Sequence, residues 1–311
     1  RRMHRAALTG GSGHIGANLA RQLVEHGFAV RALVRKDVRA IDGLPVERVS
    51  GDLHDERALR NAFEGADVVF HLAAIITLRP DRTGAVWNVN VDGTRSVVDA
   101  CVASGVRRLV HFSSIHAFSA YPPDQPVDET RGHAQGPDLP IYDQTKVAGE
   151  LEAMKGLDRG IEVVIVNPTA VIGPHDYKPS AMGRVLLDLR AGKMPAIVKG
   201  GFDWVDARDV SAGAIAAAET GRPGERYLLA GHHLPLRDLA KLASDISGTP
   251  PPRFELPVWL AQAGLPFAAL ASAISGNEPK FTRASLRAVT QHQRISHAKA
   301  SRELGYSPRP I

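Results

Sequence analysis

A single cysteine, Cys101, stands in 311 residues. The chain therefore closes no disulfide within itself and offers no cysteine-based metal site, and a reducing, cytoplasmic setting is expected. Aromatic residues make up only 5% of the sequence, and no basic run is interleaved with them. The formal charge of +5 is spread along the chain, as on a solvated surface rather than a nucleic-acid groove. Long apolar runs are also missing. The most apolar late stretch, PVWLAQAGLPFAALASAI (257–274), is interrupted by Gln262, Gly264 and Pro266, which suits burial beside a ligand pocket better than a bilayer. No metal site is expected from the histidines either, because His232 and His233 are adjacent and point to opposite sides of an extended chain. The opening RRMHRAALTG runs directly into a strand pattern, so no signal peptide is expected.

What is present is an alternation. Short runs rich in Val, Ile and Leu, namely RAALT (5–9), VRALV (30–34), VERVS (46–50), DVVFHLAA (67–74), LVHFSS (109–114) and VVIVNP (163–168), are for the most part apolar without strict alternation. Strands covered on both faces have that pattern. Between them lie helix-like runs such as HIGANLARQLVEHG and YDQTKVAGELEAMKGL, several ending in glycine. Strand and helix at this spacing predict an α/β fold with a doubly wound parallel sheet. After Pro168 the rhythm breaks, returns at FDWVDARDVSAGAIAAAE (202–219) and RYLLAG (226–231), and then becomes mostly helical. The expected organisation is a dinucleotide-binding domain over 1–169, rejoined by 202–230, and a smaller, mostly helical substrate lobe from 170–201 and 231–311.

The segment TGGSGHIG (Thr9, Gly10, Gly11, Ser12, Gly13, His14, Ile15, Gly16) follows the first strand and opens the first helix. In that place glycines allow a tight turn and let backbone N–H groups meet a pyrophosphate at the helix N-terminus, the fingerprint of a Rossmann fold. The second strand ends near the adenosine ribose, where a carboxylate accepts from a 2′-hydroxyl and a cation meets a 2′-phosphate. Arg35 and Lys36 fall there and favour NADP. Asp37 keeps NAD open if the strand ends two residues later. Asp52, in GDL (51–53), ends the third strand, where a carboxylate can accept from an adenine amine or cap a helix.

IYDQTKVAGE (141–150) sets Tyr142 four residues before Lys146, on one face of a helix. HFSSIHAF (111–118) places Ser113 and Ser114 at the carboxyl end of the fifth strand. A hydroxyl, a phenol and an ammonium converging there can polarise a carbonyl and hand it a proton, provided the Lys146 cation pulls the phenol pKa down.

These segments, with HLAA (71–74), NVNVDGT (88–94), NPTAVIGP (167–174) and FDWVDARDV (202–210) in order, resemble an extended short-chain dehydrogenase/reductase over nearly the whole chain, most closely the dihydroflavonol-4-reductase-like branch. The resemblance implies Ser114, Tyr142 and Lys146 as catalytic with Asn90 in support. It further implies Leu53, Leu72, Ala73, Ala74, Asn167, Pro168 and Thr169 beside the cofactor. Aligning Ala117-Phe118 with the family pattern favours Ser114 over Ser113. Dehydratase relatives carry an Asp-Glu pair after the hydroxyl, and here Ile115 and His116 stand instead; His116 is left between a substrate contact and a cleft wall. The expectation is an NADPH-dependent reductase of a ketone or aldehyde. An NAD-dependent sugar-nucleotide epimerase is the alternative, and a non-catalytic NADP sensor the third reading. The small-molecule pocket should draw on 170–200 and 231–280, with Trp259 and Phe267 suiting a hydrophobic or aromatic substrate. As in relatives, the helices around 88–104 and 142–158 are candidates for pairing in a homodimer.

Overall fold

The computed structural model describes residues 3–77, 80–136, 138–265, 283–291 and 294–311. The first half alternates as expected: β1 (Arg5–Thr9), α1 (His14–Glu25), β2 (Ala29–Val34), β3 (Val46–Ser50), α2 (Glu56–Phe63) and β4 (Val68–His71). The short α3 (Ala85–Trp87) runs through a π turn (Asn88–Asp92) into α4 (Gly93–Ala103), followed by β5 (Arg108–Phe112), α5 (Ile141–Met154) and β6 (Glu162–Pro168). Then come β7 (Ala170–Ile172), α6 (Ala181–Arg190), β8 (Ala196–Val198), β9 (Gly201–Asp206), α7 (Ala207–Thr220) and β10 (Arg226–Leu229). The chain ends with β11 (His232–Pro235), α8 (Leu236–Ser247), β12 (Phe254–Leu256), α9 (Val258–Ala263), α10 (Arg283–Thr290) and α11 (Ala298–Leu304).

Seven strands form one sheet in the order β3-β2-β1-β4-β5-β6-β10, with every pairing parallel. Successive residues of a strand feed opposite faces. Ala6 and Leu8 of β1 and Val164 and Val166 of β6 join the core under α1 and α7, while Ala7, Val163 and Ile165 join the core under α2, α4 and α5. Both faces being covered is why these runs are apolar throughout. Strand order reverses between β1 and β4, and in open sheets the crevice at the carboxyl ends beside such a reversal receives the ligand.

Two details differ from the sequence reading. The fifth strand stops at Phe112, so Ser113 and Ser114 lie beyond the ladder, although the Ser113 amide still donates to the Val166 carbonyl at 2.9 Å. The C-terminal portion is less purely helical than expected: β11 pairs antiparallel with β9, which pairs with β7, and β12 pairs with β8. No helix among the described residues is long and apolar enough to cross a membrane.

Among the buried polar residues of the sheet, His111 of β5 is 4% exposed, and neither ring nitrogen has a hydrogen-bond partner among the described residues. Its neighbour His71, with ring centroids 5.4 Å apart, is fully buried too. Burial and the nearby Lys146 depress His71 to about 3, and burial first, then His71 and Lys146, pushes His111 well below the usual value. A histidine depressed in the folded state stays neutral there while the unfolded chain takes up a proton below about 6.5, so each costs about 1.4 kcal/mol per pH unit as pH falls below that value. His111→Leu is expected to raise stability by about 1 kcal/mol at pH 7 and to shallow the acid limb, because it removes an orphaned polar group. Urea midpoints at neutral and mildly acidic pH check both.

Candidate active site

The glycine turn is built for close approach. Gly10 has φ +76°, and a Cβ there would lie 2.6 Å from the Ala73 amide nitrogen and 2.8 Å from the Leu72 carbonyl carbon, so the turn presses against Leu72 and Ala73 after β4, with Ala74 next in the chain. A Cβ on Gly16 would come 2.2 Å from the Gly10 carbonyl oxygen, which packs α1 directly onto the turn. Gly13 caps α1 without any side-chain hydrogen bond. The first-turn amides behind Ser12 and Gly13, including those of His14 and Ile15, thus receive no side-chain oxygen and present a positive helix end. That cradle fits a dinucleotide pyrophosphate. The His14 ring itself turns sideways, with Nε2 at 3.2 Å from the Gly173 carbonyl and 3.1 Å from that of Pro174. Asn18 Nδ2 donates to the same Pro174 oxygen at 2.8 Å, so α1 holds the loop after β7.

At the other end of the cleft, Arg35 and Lys36 follow β2, are exposed, and make no hydrogen bond or ion pair among the described residues. Asp37 is taken up by Arg39, whose Nε and Nη2 donate to its two oxygens at 3.0 and 2.7 Å. The hydrogen bonds to Arg39 hold this carboxyl down at about 2. Asp52 accepts from the His54 amide at 2.8 Å and is not the helix cap; Asp55 caps α2 instead, accepting from Ala58 at 2.9 Å. Leu53 is buried in the core beneath α4.

Thr9 does more than end β1. Its hydroxyl lies 2.7 Å from His71 Nδ1, His71 Nε2 lies 3.0 Å from Thr94 Oγ1, and Thr94 Oγ1 donates to the Asn90 carbonyl at 2.7 Å. Because Thr94 spends its proton on Asn90, His71 is neutral with the hydrogen on Nε2. Asn90 sits in the π turn, a helical distortion frequent at functional sites. Its Oδ1 accepts from the Ile75 amide at 2.7 Å, and its Nδ2 donates to the Ile75 carbonyl and Thr145 Oγ1, each at 3.0 Å. With these bonds made, the side chain ties the loop after β4 to α5.

Pro140 sets the entry to α5, whose first turns carry Tyr142 and Lys146 on one face. Ser114, Tyr142 and Lys146 are each 6% exposed. The Ser114 side chain lies close enough to the phenol to oppose the rise in its pKa, and its oxygen accepts from the His116 amide at 3.2 Å. Lys146 Nζ donates to the Phe112 carbonyl at 3.1 Å and lies 5.6 Å from the Tyr142 ring centroid. Ser113 Oγ, by contrast, is buried with no partner, so the hydroxyl brought to Tyr142 is that of Ser114.

The proton energetics depart from the sequence reading. Burial pushes the phenol above its ordinary value, the Ser114 side chain opposes this, and Asp143 adds to it. Lys146, itself lowered to about 8, loses its charge before so raised a phenol titrates, which is why it does not pull the phenol down in the free enzyme. The phenol is therefore protonated at neutral pH, the form a proton donor needs. Burial lowers Lys146 to about 8, with Glu150 opposing. His116 sits edge-on to the Tyr142 ring with centroids 5.4 Å apart, and its Nδ1 is 3.0 Å from Asp143 Oδ1.

Asn167, the last residue but one of β6, is fully buried. Its Nδ2 donates to the Ser114 carbonyl at 3.1 Å and to Glu150 Oε1 at 2.7 Å, while its Oδ1 has no partner; the side chain props the serine loop. Thr169 Oγ1 donates to Asp203 Oδ1 at 2.7 Å. Trp259 is 68% exposed, and Phe267 lies outside the described residues. Sequence reading missed Glu150, although its place four residues after Lys146 was the available signal.

The model of the NAD dependent epimerase/dehydratase family matches residues 6–230. The chain belongs to that family. It is 37% identical over 308 residues, 97% of this chain and 93% of the relative, to sterol demethylase protein B of Methylococcus capsulatus. It is 34% identical to a putative dihydroflavonol 4-reductase of Synechocystis, over 96% of this chain and 88% of that one. Among solved structures, that of gox2253 superposes with a TM-score of 0.85 at 34% identity, covering 99% of this chain and 94% of that chain. As a family member the chain is an NAD(P)-dependent enzyme of the short-chain dehydrogenase/reductase type.

Proposed function

We propose that this enzyme is an NADPH-dependent carbonyl reductase acting on a small, hydrophobic ketone or aldehyde. The observation that carries the reading is the convergence of the Ser114 hydroxyl, the Tyr142 phenol and the Lys146 ammonium beyond the carboxyl end of β5, with the glycine cradle beyond the same end of β1, across β4 from it. The dinucleotide, when bound, supplies hydride. The residues do the rest. Ser114 holds the carbonyl oxygen by a hydrogen bond that strengthens as charge develops. Tyr142 keeps its proton at neutral pH and releases it to that oxygen once the forming alkoxide becomes the stronger base. Lys146, positively charged below about 8, stabilises the phenolate left behind and holds the ribose.

The preference for NADPH is supported by the two free cations after β2 and by the engagement of Asp37 with Arg39, which leaves no unpaired carboxylate there for a ribose 2′-hydroxyl. Arg35→Ala is expected to raise the Kd for NADPH about 10- to 100-fold, the value of a charge-assisted phosphate contact, with little change for NADH. Fluorescence titration with both nucleotides reads it. For the substrate, the support is the pair of relatives named for a sterol and a dihydroflavonol, both built on fused carbon-rich rings. The direct test is loss of NADPH absorbance on adding a panel of aryl and polycyclic ketones. Ketone-independent behaviour, with tightly held NAD released on denaturation, would instead indicate the epimerase.

A further inference from the structure

Glu150 is 1% exposed, and a carboxylate so deeply buried is costly unless its surroundings hold the charge. Its surroundings join the active site to the far side of α5. Oε1 accepts from Asn167, which also holds the Ser114 carbonyl. Oε2 lies 2.8 Å from His133 Nε2 and 3.6 Å from Arg226 Nη1, and that guanidinium nitrogen has no hydrogen-bond partner. Arg226 is itself fixed, its Nη2 donating to the Glu129 and Arg131 carbonyls at 3.1 and 2.9 Å and its guanidinium 4.3 Å over the Phe118 ring. Behind Glu150 opens a cavity of about 210 Å³ into which Glu129, His133, Glu225, Arg226 and Lys299 also project. Towards the catalytic cleft stands Lys146, one turn earlier on the same face of α5. The titratable groups around Lys146 are thus Tyr142 and Glu150 on its own helix and the neutral His71 and His111 from the sheet. Glu150 is the anion among them.

We propose that Glu150 is a positioning residue of the active site: its buried carboxylate keeps Lys146 in the ammonium form and, through Asn167, fixes the Ser114 loop. His133 and Arg226 act from the rear cavity, setting how much of the carboxylate's charge reaches Lys146. Its link to catalysis rests on the reductase reading, whereas the charge coupling does not.

The test is a 13C titration of lysine-labelled protein, with the Lys146 signal assigned by its disappearance in Lys146→Arg. Wild type is expected to titrate near 8. Glu150→Gln should lower that midpoint by about one pH unit or more, and Glu150→Asp should restore most of it. Arg226→Gln, which removes the opposing cation, should move it upward and serves as the reading if Glu150→Gln does not fold. The alkaline limb of kcat/KM should follow, so that Glu150→Gln loses about tenfold relative to wild type above the shifted midpoint and little well below it. An unmoved Lys146 midpoint in Glu150→Gln, or no upward shift in Arg226→Gln, overturns the proposal. Failure of wild type to reduce any ketone overturns the reductase reading while the titration still decides the coupling.

Discussion

Tyr142→Phe is expected to lower kcat for ketone reduction by about 10³-fold or more, within the range that a positioned acid contributes. The Kd for NADPH should change by less than about twofold. The phenol is 6% exposed, and the change removes one oxygen without opening a cavity. The Ser114 hydroxyl is left free to turn to substrate. Retention of both stability and nucleotide binding separates loss of the acid from loss of the fold. Ser114→Ala removes the polarising contact but leaves the proton, so a smaller loss, about 10²-fold, is expected from it. Stopped-flow reduction and fluorescence titration on the same preparations measure all of these.

Gly10→Ala carries the second large effect, on binding rather than chemistry. The residue sits at φ +76°, and the new methyl would lie 2.6 Å from the Ala73 nitrogen and 2.8 Å from the Leu72 carbonyl carbon. These are backbone atoms that cannot rotate away. A left-handed alanine is disfavoured by about 1 kcal/mol or more before the clash is counted. The turn is therefore expected to shift off the β4 loop, with a loss of about 2 kcal/mol or more of stability and at least a tenfold rise in the NADPH Kd. Gly13→Ala is the control at the same turn: its Cβ would meet only the Gly10 oxygen at 3.3 Å, and stability should change far less.

Much of this was legible in the sequence because the signals are local. The strand at 5–9 falls where its apolar run falls, because four of its five residues are buried, and the one at 46–50 is recovered although Glu47 and Arg48 are exposed. The glycine turn and the Tyr142–Lys146 pair are each contained within a few residues, so geometry follows from spacing. What escaped is long-range. Glu150 meets His133 and Arg226 only because the segment after β5 and the edge strand β10 both fold behind α5. The direction of the phenol's shift depended on how deeply the hydroxyl is buried, which helical spacing does not determine. The capping role at α2 went to Asp55 rather than Asp52 because both sit in one short polar turn. The pairings of β7, β9 and β11 and of β8 and β12 join runs too short to carry a periodicity of their own.

The most direct measurement uses NADPH deuterated at both C4 positions with whichever ketone the panel shows to be consumed. One deuterium on the carbinol carbon of the alcohol, formed by wild type and absent from the Tyr142→Phe reaction, is the predicted result. An alcohol that carries no deuterium, or one formed at the wild-type rate by Tyr142→Phe, would contradict the account.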